Sequence, residues 1–159
     1  MGTRFRLGPV YETNRIVPVD YLTKCMESVG SGSERPPTPE VVEKMEGGII
    51  ISLSNADIIS FSSRPGSDPC LIGIRRCDKH PLNLPNVSLN IIAHELGHVI
   101  GLGHNNDPTT LMCGRPSDGS PATCNPESYK CDEEKIFRIT KKEKSFLREH
   151  YPPTWRSSR

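Results

Sequence analysis

The chain has no long apolar run. No stretch approaches the roughly 18 uninterrupted apolar residues that a membrane-crossing helix requires, so no membrane span is expected. It has no excess charge either: 20 Lys and Arg are set against 19 Asp and Glu, for a net charge of +1. Binding driven by neutralising phosphates needs a basic stripe, so nucleic acid is not an expected partner. The first residues, MGTRFRLGPVYETN, lack the apolar centre of a secretion signal. Export is therefore expected to use a signal outside this sequence or another route. No internal repeat is present. The 159 residues suffice for one domain with a buried core.

Cysteine, by contrast, is plentiful: Cys25, Cys70, Cys77, Cys113, Cys124 and Cys131. Six is many for a cytosolic enzyme, and the even number points to disulfides and a secreted or extracellular protein. A cysteine-bound zinc would instead need reduced thiols, and the chain has no Cys-x-x-Cys pair to favour it. Fifteen connectivities are open to six cysteines. Short spacing favours Cys70–Cys77 and then Cys124–Cys131, leaving Cys25–Cys113 by elimination.

Residues 94–104 read HELGHVIGLGH. On a helix, His94 and His98 project from one face a turn apart, as two ligands of a single Zn²⁺ must. Glu95 follows His94, so its carboxylate points beside the metal, where a general base for water belongs. Gly101 takes positive φ at low cost, so the chain can turn there and return His104 as a third ligand. Three imidazoles leave one tetrahedral position open, which marks a catalytic zinc site rather than a structural one. Two histidines at this spacing also occur on solvated helices by chance. The third histidine, with a glycine at the bend, turns the balance towards one catalytic Zn²⁺ as cofactor. His80 and His150 read as surface residues, because the metal already has three ligands.

The pattern HExxHxxGxxH resembles that of the metzincin metalloproteases. The stretch from His94 to Met112 is most similar to the matrixin (matrix metalloprotease-like) branch, in which a similar HELGHxxGLxH run leads into an LM turn. The resemblance is sharp over about residues 86–114, continues to 152 and is thin before 86. It implies that Met112, within DPTTLMCG, forms a Met-turn beneath the zinc. It implies a monomeric zinc endopeptidase whose protein or peptide substrate lies extended along an edge strand. Glu95 takes the proton of the attacking water and returns it to the departing amine. The loop from Cys113 onward would line the pocket on the primed side, and a Ca²⁺ requirement is left open. Two positions depart from the pattern. Asn105 stands where matrixins usually carry Ser or Thr. Gly114 stands where astacin-like and serralysin-like enzymes carry a tyrosine, so no tyrosine donor is available there. The segment CGRPSD at 113–118 is like a propeptide cysteine switch, but it lies downstream of the Met-turn with an extra residue, and the likeness is coincidence. The alternative to an enzyme is a catalytically inactive zinc-binding module that recognises peptides. Such decoys typically lose the general base, and Glu95 is present.

The fold class this implies is α+β: a metzincin-like zincin catalytic domain with a small twisted mixed sheet, an active-site helix and a C-terminal helix. One domain spans 1–159, with its upper part about 1–100 and its lower part about 101–159. Arg15–Val19 reads as a strand. Asp20 caps a helix whose stripe is Leu22, Cys25, Met26 and Val29, ending at Gly30. Thr38 and Pro39 open a short helix reaching Met45, before Gly47 and Gly48. Ile49–Leu53 and Ile58–Ser62 read as strands, and the LIGI run between Cys70 and Cys77 as an edge strand. The motif helix starts near Asn86 or Ser88 and buries Leu89, Ile92, Leu96, Val99 and Ile100. The last helix opens on a capping box, Thr140 with Glu143, packs through Phe146, Leu147 and Tyr151, and ends before Pro152.

Overall fold

The computed structural model describes residues 12–45, 47–63, 65–75, 84–115, 121, 124 and 135–152. They fall into two compact units, one spanning Arg15–Arg138 and the other formed by the segments on either side of it. The larger unit holds helices α1 (Val19–Ser31), α2 (Glu40–Glu43) and α3 (Pro85–Val99), and strands β1 (Ile49–Ser54), β2 (Phe61–Ser62) and β3 (Cys70–Arg75). The smaller holds α4 (Lys141–His150). The class is α+β with a three-stranded mixed sheet. No helix among the described residues is long and apolar enough to cross a membrane.

The strand order is β1-β3-β2, with β1 parallel to β3 and β2 antiparallel to it. LIGI therefore lies in the central strand, not at an edge. Every residue from Cys70 to Ile74 is buried. An unbroken apolar run suits a strand covered on both faces, whereas an edge strand alternates. Alternation separates the two faces. Ile50, Phe61 and Leu71 join Tyr21, Leu22, Cys25 and Val42 in the core beneath α1 and α2. Ser62, the residue after Phe61, points the other way and hydrogen-bonds Glu95 of α3.

The expected strand at Arg15–Val19 is absent. Pro18 occupies the N-cap of α1 at φ −58° and ψ 135°, and Val19 is already helical. Proline has no N–H for a ladder, and its fixed φ suits a helix start. The helix runs past Gly30 to Gly32, which takes the left-handed conformation at φ 72°. Its buried stripe is Tyr21, Leu22, Cys25 and Ser28, while Val29 is exposed. Proline also moves the start of α3. Pro85, at the first helical position, replaces the expected caps Asn86 and Ser88. The buried positions of α3 are Val87, Asn90, Glu95 and Gly97, and Leu89 is 53% exposed. The helix is turned so that Gly97 meets Met112, an approach that a larger residue would block. In the smaller unit, α4 opens as expected: Glu143 N donates to Thr140 Oγ1 (3.1 Å) and Thr140 N to Glu143 Oε2 (2.6 Å). Leu147 is buried, with Phe146 and Tyr151 half-buried.

The cysteines pair differently from the expectation. Cys113 is bonded to Cys124, while the thiols of Cys25 and Cys70 are free and buried. Cys77 and Cys131 lie outside the described residues. A Cys70–Cys77 bridge conflicts with the path of β3, which runs extended over Cys70–Arg75. At about 3.3 Å per residue it carries the chain some 16 Å, and two further residues cannot bring Cα atoms within the roughly 7 Å that a disulfide spans. Cys124 bonds backwards to Cys113, which excludes Cys124–Cys131 and Cys25–Cys113 together. Burial raises the Cys25 thiol above its usual pKa, against weaker opposing effects of Tyr21 and Arg35.

Candidate metal centre

The last turn of α3 decides where the third histidine goes. Gly101 adopts φ 92°. Its N–H donates to His98 O (2.9 Å), and Leu102 N–H donates to Gly97 O (2.9 Å). That pair of bonds is the Schellman motif, which closes a helix on a left-handed residue and reverses the chain. Two consequences follow within three residues. Leu102 is held with its carbonyl facing back to His98, and His104 returns towards the helix it has just left.

A second short pairing fixes the far side. Asn105 N donates to Met112 O (2.8 Å), and Gly114 N donates to Asn105 O (3.0 Å). Between them Asn105 Oδ1 accepts from Asp107 N (2.9 Å) and Thr110 Oγ1 (3.0 Å), closing the loop as an Asx turn. Met112 is thereby fully buried. A Cβ on Gly97 would stand 2.5 Å from Met112 Sδ, so only glycine at 97 admits this packing.

The three imidazoles meet on this scaffold. His94 Nε2 lies 3.1 Å from His98 Nε2 and 3.2 Å from His104 Nε2, and the last two are 3.0 Å apart. Each Nδ1 faces a backbone carbonyl: Leu111 O for His94 (2.7 Å), Leu102 O for His98 (2.8 Å) and Arg115 O for His104 (3.0 Å). A carbonyl can only accept, so each Nδ1 carries the proton and each Nε2 presents a lone pair. Three lone pairs directed at one another repel. A cation between them removes the repulsion. Three nitrogens about 2.05 Å from one ion at the tetrahedral angle lie about 3.3 Å apart, close to the spacing here. The carbonyls are the outer partners that hold metal-bound histidines in one tautomer. His94, His98 and His104 thus form a group able to bind a metal ion, the one such group among the described residues.

Electrostatics favour the same protonation states. Burial, the largest influence, lowers the pKa of His94, with the Leu111 carbonyl opposing and His104 adding a little. His98 falls to about 4, through burial first and then the neighbouring His94. Glu95 is not one of the three ligands. It is 7% exposed, and burial raises its carboxyl to about 7 although the hydrogen bond from Ser62 works the other way. His150 lies on α4, stacked on Phe146 with Nδ1 donating to Phe146 O. His80 lies outside the described residues.

The motif alone does not reveal several residues that build the site. The three carbonyls carry no side-chain signature. Ser62 comes from a strand far upstream of the motif. Gly114 sits flat against the His104 ring, where any Cβ would overlap it. That overlap supplies a physical reason for glycine at the position, and a prediction. Gly114→Ala is expected to displace His104 and weaken metal binding about 10- to 100-fold, the usual cost of disturbing a ligand's support. Gly103→Ala is the control, because a Cβ there meets nothing within 4 Å. Competition against a chromophoric chelator measures both, and equal affinities would show that Gly114 is not needed for this placement.

Comparison with protein-family models, curated proteins and solved structures finds no match to this chain.

Proposed function

We propose that the chain is a zinc-dependent metalloendopeptidase of the metzincin type, most like a matrixin catalytic domain, hydrolysing peptide bonds in protein substrates. One observation carries this reading: three backbone-fixed imidazoles converge through their Nε2 atoms, and a buried carboxyl that is not a ligand follows the first of them in sequence. Imidazole sets of this kind suit zinc, and three with an open fourth position match its catalytic sites. When bound, zinc supplies a Lewis acid that polarises a carbonyl and makes water acidic near neutral pH.

The chain's own residues do the rest. Glu95 holds a proton with a pKa of about 7, so at neutral pH it can accept one from water and release it to a departing amine. Ser62 keeps that carboxyl oriented. The same bond links Glu95 to β2, which is an edge strand of the sheet among the described residues. A substrate held extended by strand addition would suit cleavage within a chain better than at its end. Met112, packed on Gly97, supports the helix from below as the Met-turn of the resemblance would. The Cys113–Cys124 bond fits a secreted, extracellular protein, and the reading takes it as a monomer.

The full chain, purified without added chelator, should contain about one zinc per molecule and cleave members of a random peptide library. Removing zinc should abolish cleavage, and adding it back should restore it. Cleavage that survives complete metal removal would end the metalloprotease reading. Zinc retained with no cleavage of any peptide would favour the inactive peptide-recognition module instead.

A further inference from the structure

One buried polar side chain near the metal centre has no part in the mechanism above. Asn90 lies on α3 one turn before His94 and is 2% exposed. Both ends of its amide are bonded. Nδ2 donates to Lys135 O (2.9 Å), and Oδ1 accepts from Phe137 N (3.0 Å). A carbonyl and an N–H two residues apart are what an extended segment offers a neighbouring strand. Asn90 stands in for that strand, bonded to the segment by both ends of its side chain.

The next residue of that segment faces the other way. Arg138 O accepts from Leu111 N (3.0 Å), and Thr110 bridges to Arg138. Leu111 O in turn receives the Nδ1 proton of His94 (2.7 Å). A closed circuit results: Asn90, the segment 135–138, the Leu111 peptide, His94, and one helical turn back to Asn90. Helix geometry fixes the Asn90 to His94 spacing. The Leu111 peptide is therefore held from two sides, by the loop bonds of Asn105 and Thr110 on one and by Asn90, through the segment 135–138, on the other.

We propose that Asn90 is a positioning residue for the metal centre: it helps hold the carbonyl that orients His94, and so raises metal affinity without touching the metal. The proposal rests on the metal-binding reading of His94, His98 and His104, and is independent of proteolysis. Outer partners of metal ligands typically contribute 10- to 100-fold to affinity. A residue two steps removed should fall at the lower end, about tenfold.

The test measures Co²⁺ and Zn²⁺ affinity and the Co²⁺ absorption spectrum in the full chain. Asn90→Leu keeps the volume and removes both bonds. Asn90→Asp keeps the shape and the bond from Phe137 N, but sets an oxygen against the Lys135 carbonyl. Val87→Ala, at a 2% exposed position one turn earlier on α3, controls for lost stability alone. The expected result is affinity reduced about tenfold in Asn90→Leu, less in Asn90→Asp, each with an altered Co²⁺ spectrum. Val87→Ala should keep parental affinity and spectrum even where its thermal stability drops as far. If Asn90→Leu does not fold, Asn90→Asp decides alone. Parental affinity and spectrum in the folded Asn90 variants would overturn the proposal, as would an equal loss in Val87→Ala. A parent chain that binds neither metal would instead overturn the metal reading itself, a result visible before any variant is made.

Discussion

Replacing Glu95 with glutamine is expected to slow peptide cleavage at least about a hundredfold while leaving zinc content unchanged. Removing a general base typically costs 10²- to 10⁴-fold, and Glu95 serves the departing amine as well as the attacking water in this reading. Glutamine has nearly the same shape and can still accept the Ser62 hydrogen bond through its carbonyl oxygen, so the fold has little to lose. It has no site for the proton. Steady-state rates on one cleaved peptide, with zinc measured on the same samples, separate the outcomes. Parental turnover in Glu95→Gln would show that Glu95 is not the base.

The same variant carries a stability signature of definite sign. In the metal-free protein the Glu95 carboxyl titrates at about 7, raised by burial from 4.5. The folded state therefore holds its proton where the unfolded state has released it. That preference reduces stability progressively as pH rises from 4.5 to about 7, and the cost stays constant above. A glutamine in its place bears no such cost. Metal-free Glu95→Gln should thus exceed the metal-free parent in stability at pH 8, by up to about 3 kcal/mol, and the advantage should vanish towards pH 4.5. Urea unfolding across that range tests it. A constant difference would mean that the carboxyl is not held in its protonated form by burial.

The parts of this molecule that can be read in its sequence are those encoded by spacing along one element. His94 and His98 share a helix face by periodicity alone, and Gly101 foreshadows the bend that the Schellman bonds make. Thr140 and Glu143 likewise report a local cap. Contacts that depend on a distant partner are not written in any short window. β3 differs from an edge strand only by having neighbours on both sides, although its unbroken burial has a visible correlate in LIGI. Cys124 pairs with Cys113 across a sequence separation of 11, a tertiary fact that short spacing does not encode. The Nδ1 acceptors are backbone atoms and leave no trace in residue identity. Two signals were present in the residue pattern: a polar Asn90 inside the apolar stretch LNIIA, and Pro85 at a helix start where side-chain caps are otherwise expected. Each is a residue out of keeping with its surroundings, and each is explained by a specific local demand.

The second large effect is expected at His104. It is the exposed member of the triad, carried by the loop and held by the Arg115 carbonyl, whereas His94 and His98 are half-buried on the helix. Its removal therefore tests metal binding with little disturbance to packing. His104→Ala should lose more than about a hundredfold in zinc affinity, exceeding the usual cost of an outer partner because a ligand itself is gone. The metal-free variant should be as stable as the metal-free parent, since His104 contributes a lone pair that repels two others until an ion arrives. Zinc stabilises whatever binds it by RT ln(1 + [Zn]/Kd), about 4 kcal/mol at a thousand times Kd. Added zinc should raise the parent's unfolding temperature by several degrees and that of His104→Ala by no more than about a third as much. His150→Ala, which alters a histidine stacked on Phe146 in α4, should respond to zinc as the parent does. Full zinc stabilisation of His104→Ala would remove the third ligand from the site, and with it the argument that the bend at Gly101 exists to bring that histidine back.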